Sequence, residues 1–116
     1  MLTIPYTFKL YFYNKPVDMR KSFNGLHSLI MNDVPVNDLP GRMYIFLNKK
    51  GSKVKVFYWD NDGFAIWYKS LKQGVFHFPT NEKKYLEMSP ETLNQILLGF
   101  NLKYSKKHFR FKLSSV

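Results

Sequence analysis

The 116-residue sequence contains no cysteine. Disulfides, cysteine-based zinc sites and thiol catalysis are therefore excluded. No stretch approaches the roughly 18 consecutive apolar residues that read as a membrane-spanning helix. The opening residues, MLTIPYTFKLYFYNKP, lack a basic segment followed by an apolar run and a small-residue cleavage site. No signal peptide is read, and a cytoplasmic protein is expected. Histidine is sparse: His27, His77 and His108 are dispersed, with no His or Glu at ligand spacing, so no zinc motif is present. A phosphate-cradling glycine-rich loop and a serine nucleophile elbow are absent too.

Acid is the scarcest chemical resource. There are eight Asp+Glu against eighteen Lys+Arg. A two-metal nuclease needs two or three convergent carboxylates. Asp60 and Asp62 form the one close pair, and their surroundings start like a calcium loop. Phe64 occupies the next ligand place, however, and no Glu stands at the twelfth position. Asp60 and Asp62 therefore read as turn formers. The expectation is a protein that is not an enzyme, without catalytic residues, metal ligands or cofactor.

What is abundant is positive charge and aromatic surface. The net charge is +10, aromatic residues make up 18% and hydrophobic residues 45%; the pI is near 9.8. Such a composition describes a folded domain with a polyanionic partner, nucleic acid above all. Only three of the eighteen basic residues are arginine. Lysine meets phosphate as a point charge, whereas arginine makes the bidentate contacts that read guanine. The pattern points to backbone affinity more than to base readout.

Thr7 to Asn14 reads as a strand and Pro16 as a break. Met19, Phe23, Leu26 and Ile30 recur at helical spacing, with Asp18 at the N-cap place. Gly25 within that helix suggests a close packing contact. Val34 to Gly41 is a loop. Strands follow at Arg42–Lys50, Lys53–Asp60 and Gly63–Leu71, the last two joined by a hairpin signalled by Asp62-Gly63. Gly74–Pro79 and Lys83–Ser89 read as further short strands. Ser89, Pro90 and Glu91 announce a second helix with Leu93, Ile96, Leu97 and Phe100 on one face. The implied fold is α+β: a small antiparallel sheet of four to five strands packed with two helices. Residues 1–100 form the domain and 101–116 a basic C-terminal tail, with a strand suggested in HFRFKL. One sheet face is expected under the helices. The other is expected to carry Lys53, Lys55, Trp59, Trp67 and Lys69.

The candidate nucleic-acid-binding residues follow. Lys49, Lys50, Lys53, Lys55, Lys69 and Lys72 cluster in sequence around Trp59, Trp67 and Tyr68. Exposed aromatics can stack bases while lysines neutralise phosphates. Arg20 and Lys21 add two cations at the start of the first helix. The competing reading places the tryptophans in the core and the lysines on a solvated rim. A third has the aromatic face covered by a protein partner.

KPVDMRKSFNGLHSLI, followed after a loop by MYIFLNKKGSKVKVFYWDNDGFAIWYKSLKQGVFHFP, resembles the small accessory protein of IS-sixty-six type bacterial insertion sequences. That protein is the second open-reading-frame product, often labelled TnpB. The resemblance rests on Asp18-Met19-Arg20-Lys21 and on Tyr58-Trp59-Asp60, Gly63-Phe64 and Trp67-Tyr68-Lys69. It implies a helper in transposition of a mobile element, beside a separate transposase that carries the acidic catalytic site. Two partners are implied: the DNA of the element ends and the transposase of the same element. The alternative to DNA binding is a protein-interaction adaptor for the transposase without direct DNA contact. Two positions depart from the family pattern. Lys49-Lys50-Gly51-Ser52-Lys53 stands where arginine is frequent, and Asn24 where aspartate is common.

Overall fold

Lys53 to Ser70 organises the sheet. Its two arms are rich in β-branched and aromatic residues and alternate with period two, the pattern of paired strands. The computed structural model describes residues 1–101, 106 and 107. Their order is β1 (Lys9–Tyr13), α1 (Phe23–Met31), β2 (Arg42–Leu47), β3 (Lys53–Asp60), β4 (Gly63–Ser70), β5 (Tyr85–Met88), α2 (Pro90–Leu97), β6 (Phe100–Asn101) and β7 (Lys106–Lys107). A 3-10 turn at Val36–Asp38 interrupts the loop before β2. The α+β class holds, with two helices and a five-stranded sheet of order β4-β3-β2-β1-β5. β1 runs parallel to β2, while the other pairings of this sheet are antiparallel, so the sheet is mixed. β6 and β7 form a separate two-stranded ladder. The suggested strand HFRFKL lies outside the described residues.

Helices cover both faces, and this corrects the expectation of one packed and one solvated face. On one side, Leu93, Ile96 and Leu97 of α2 pack with Leu10, Phe12, Met43, Ile45, Val54 and Val56. On the other, Leu26 and Ile30 of α1 pack with Tyr13, Tyr44, Phe46 and Phe57. Strand alternation sends each residue set to its own helix. The core is therefore two apolar layers separated by one sheet.

Each helix has local causes. α2 is capped by Ser89, whose hydroxyl accepts from the Thr92 N–H at 3.1 Å, with Pro90 in the first turn. Gly99, at φ 102°, ends it. α1 begins later than the periodicity suggests. Ser22 holds the N-cap place, and Asp18 lies four residues upstream in a turn of its own. Asp18 Oδ1 accepts from the Arg20 backbone N–H at 2.9 Å, an aspartate turn that competes with helix. Asp33, just past α1, ties the helix to β5: its carboxylate pairs with Lys84 at 2.9 Å and accepts from the Tyr85 hydroxyl at 2.8 Å.

The β3–β4 turn falls between the strand ends that the sequence suggests. Asp60 pairs with Gly63, so Asn61 and Asp62 are the two loop residues. Asn61 takes the left-handed conformation, φ 58°, which asparagine tolerates. The expected strand at Gly74–Pro79 is absent: the chain there is irregular. Phe76 instead donates its N–H to the Gly51 carbonyl at 2.8 Å and buries its ring in the α2-side core.

One charged side chain sits inside. Lys55, on β3, is only 7% exposed. Its ammonium donates to the carbonyls of Met19 at 2.8 Å and Lys21 at 2.7 Å. It also lies 4.9 Å from the centre of the Tyr68 ring. A desolvated ammonium needs such partners. Lys55 thus fastens the segment before α1 to the sheet. Lys55→Met keeps the stem and removes both charge-assisted bonds. Water reaches the freed carbonyls in part, so the expected loss is about 1–3 kcal/mol. Urea unfolding with an unchanged slope would show it; an unchanged midpoint would mean that the segment is held by other contacts.

Candidate functional site

Three short backbone devices bring the basic residues together. The segment after β1 crosses the end of β2, where the Val17 N–H donates to the Leu47 carbonyl at 2.9 Å. The β2–β3 connection is a tight turn: Gly51 donates to the Asn48 carbonyl, and Asn48 Oδ1 accepts from the Lys53 N–H, both at 3.0 Å. Gly51 is required there. Its φ is 77°, and a Cβ would stand 3.3 Å from Val75 Cβ. The turn therefore presents Lys49 and Lys50 outward beside the Asp18–Arg20 segment. Both segments follow the carboxyl ends of the parallel strands β1 and β2. Open sheets often place their ligand sites at such ends.

Between them runs an open groove of about 720 Å³. Arg20, Lys49, Lys50 and Lys53 line it, with Asp18 and Tyr68. Tyr68 is 48% exposed, and the buried Lys55 ammonium lies against its ring. Four cations thus face one carboxylate, beside a half-open aromatic ring. Asp18 takes the Nε and Nη2 side of the Arg20 fork at 2.7–3.1 Å. Both side chains stand largely in water, so the pair orients the guanidinium rather than stabilising the fold. The hydrogen bonds from Arg20 hold the Asp18 carboxyl well below its ordinary 3.8, at about 2. The Nη1 corner is not used by Asp18, and it suits a second anionic oxygen.

The candidate residues therefore divide. Arg20, Lys49, Lys50 and Lys53 converge on the groove. Lys55 sits beneath it with its ammonium bonded to two carbonyls. Lys21 is exposed nearby, and its stem lies 3.1 Å from where a Cβ on Gly25 would stand, the close approach anticipated at that glycine. Lys72 is exposed in the loop after β4 and does not line the groove.

The tryptophans do not share a face. Register pairs Trp59 with Phe64, and Trp67 with Val56. Trp59 lies on the α1 side, edge-on to Phe64 at 5.0 Å. It is six residues from Lys53, about 20 Å along the strand. Trp67 packs against the α2-side core, and Lys69 shares that side because it pairs with Val54. Both indoles are partly buried. The groove's aromatic is Tyr68, which pairs with Lys55. Counting pairs from a two-residue Asn61-Asp62 loop would have found it.

Among the described residues, no three His, Asp or Glu side chains converge on a possible metal position. Nor is any helix long and apolar enough to cross a membrane. Asp60 and Asp62 are exposed at the hairpin tip.

Residues 8–107 match the family model described as IS66 Orf2 like protein. The chain belongs to that family. As an IS66 Orf2 like protein it is an accessory protein associated with transposition of an insertion sequence. It is similar to y4jC of Sinorhizobium fredii, at 31% identity over 87 residues, covering 75% of this chain and 74% of the relative. A second Sinorhizobium fredii protein, y4hO, is 29% identical over 93 residues, covering 80% of this chain and 81% of the relative. Both relatives are named only as uncharacterized proteins. No solved structure matches the chain. The family match spans β1 through β7 and so includes every groove residue.

The Asp18–Arg20 geometry gives a titration. Protonation of Asp18 releases the guanidinium, so the orientation of Arg20 is held above the depressed midpoint and fades as pH falls toward about 2. Carbon-detected NMR of the Asp18 carboxyl should place its midpoint near 2. In Arg20→Gln the midpoint should rise toward the ordinary 3.8. An unshifted midpoint in that variant would show that the guanidinium does not hold the carboxylate.

Proposed function

We propose that this IS66 Orf2 like protein is a non-enzymatic accessory factor that binds the DNA of its element through phosphates. The supporting observation is the convergence of Arg20, Lys49, Lys50 and Lys53 on one groove beside the half-exposed Tyr68. Two separate segments must meet to make this arrangement, and a merely solvated rim does not require that. Lysine turns of this kind track a polyanion without reading its bases. Arg20, already oriented by Asp18, offers the fork that suits a phosphate. Lys21 and Lys72 extend the positive field around the groove.

The non-catalytic part of the reading rests on how the acids are used. Asp18 is engaged by Arg20, and Asp33 by Lys84 and Tyr85. Asp60 and Asp62 project from a hairpin tip. Neither arrangement supplies paired carboxylates facing the groove.

A second reading has one observation behind it. The eight-residue β4 forms an edge of the sheet, and no described strand pairs with its outer side. Such an edge accepts a strand from a partner by backbone pairing. The transposase of the same element is the partner this reading names, and co-purification without DNA would favour it.

The DNA reading has a quantitative signature. Four phosphate contacts give a slope of about −3.6 in log affinity against log salt. A four-fold rise in salt should therefore weaken binding to element-end duplex roughly a hundred-fold. Lys50→Gln should reduce the slope by about one and weaken binding alike for any sequence. Anisotropy titrations at several salt concentrations test this. A flat response, or no duplex binding at low salt, would overturn the reading.

A further inference from the structure

Beside the groove lies a second cavity, of about 850 Å³. The two share Pro16, Asn48 and Lys49, so they are immediate neighbours. Their characters differ. Phe12, Leu47, Phe76 and Phe78 give the cavity an apolar wall, and the exposed Lys15 and Lys49 also line it. Among the described residues no carboxylate lines it. Phe78 lies flat on Phe12, with centroids 4.3 Å apart and planes 6° from parallel. Phe78 is only partly buried, so part of this stacked pair contributes to the cleft surface. Asn14 fixes the far side. Its amide donates to the carbonyls of Asn81 at 2.6 Å and Lys83 at 3.1 Å, holding the 81–83 segment against the end of β1.

We propose that this cleft receives an unpaired nucleobase, which makes single-stranded DNA the preferred ligand of the combined site. The inference rests on the DNA-binding reading above and deepens it. A flat aromatic with a phosphate attached matches an apolar, aromatic-walled cleft bordered by lysines. The volume falls within the roughly 300–1,000 Å³ of small-ligand sites. Bases within a duplex are stacked and paired, and a protein pocket reaches one only after it is extruded. A duplex would use the cations of the groove and leave the apolar wall idle. A single strand uses both: a base against Phe78, its phosphate at Lys15 or Lys49, and the following phosphates along Lys50, Lys53 and Arg20. Aromatic stacking tolerates any base, in keeping with the lysine-rich, arginine-poor surroundings.

The test compares three labelled ligands at one salt concentration by anisotropy: a thymidine strand of ~12 nucleotides, within the usual single-strand site sizes, a strand of equal length in which the bases are replaced by abasic sites, and a duplex. The wild-type chain should bind the thymidine strand roughly ten-fold tighter than the abasic one, as loss of one stacked base implies. Phe78→Ala should erase that difference and change duplex affinity by less than about two-fold. The wild-type comparison needs no variant, so it stands even if Phe78→Ala unfolds. Equal affinity for the base-bearing and abasic strands, with duplex binding intact, overturns this inference alone. Failure of all three ligands to bind overturns the DNA-binding reading with it.

Discussion

The ammonium of Lys55 is the point on which the groove depends. It is bonded to two carbonyls of the segment that precedes α1 and lies against the ring of Tyr68. That segment carries Arg20, and Tyr68 supplies the groove's aromatic surface. A buried cation here does what an apolar residue could not. It gathers backbone oxygens that no helix or strand uses, and it places a positive charge beneath a ring exposed above it. The desolvation cost is offset by two short bonds and the face of an aromatic ring. The same contacts hold a loop at fixed height over a sheet, which a site built on loops needs if it is to be stiff.

Around that contact, the two-layer core explains why so basic a protein folds. Strand β3 is covered on both sides, by α2 through Val54 and Val56 and by α1 through Phe57. The aromatic residues serve mainly this purpose. Tyr13, Tyr44, Phe46 and Tyr85 fill the α1 side with tilted and edge-on ring contacts. Positive charge is then concentrated in turns and at strand ends, where water screens it. The cations that meet in the groove come from two connections: one is tied to the sheet by the Val17–Leu47 bond and by Lys55, and the other is closed by bonds within its own turn.

Much of this was legible in the sequence. The period-two runs gave β3 to the residue and β4 to within one residue, and Ser89-Pro90-Glu91 gave α2. The cluster of lysines around the β2–β3 turn was visible as composition, and Arg20 as a neighbouring cation. Two things were hidden, for distinct physical reasons. Faces of a hairpin are set by which residues occupy its turn, and a shift of one position exchanges them all. Following the alternation of each strand separately, without counting pairs across the Asn61-Asp62 loop, put the tryptophans together and passed over Tyr68. The second hidden feature was non-local: nothing near Gly74–Pro79 in the sequence says that Phe76 will dock on Gly51, or that Phe78 will stack on Phe12. Alternating aromatics there imitated a strand, while the chain was in fact draping one wall of a cleft.

The place of β1 in the sheet has a consequence for how the chain acquires this shape. β1 is flanked by β2 on one side and by β5 on the other. Its second neighbour is Tyr85–Met88, more than seventy residues downstream in the register Leu10 to Met88. An N-terminal portion containing the β2-β3-β4 meander can form local hairpins early, yet β1 keeps one unpaired side until the β5 residues exist. Closure of so long a loop is the slow kind of event in folding, and it leaves a strand edge open to wrong partners in the interval. The groove is built from the residues that immediately follow β1 and β2. The segment that leads into β5 is also the one Asn14 ties to the end of β1, so pairing of β5 with β1 and closure of the chain beside the cleft belong to the same long-range event.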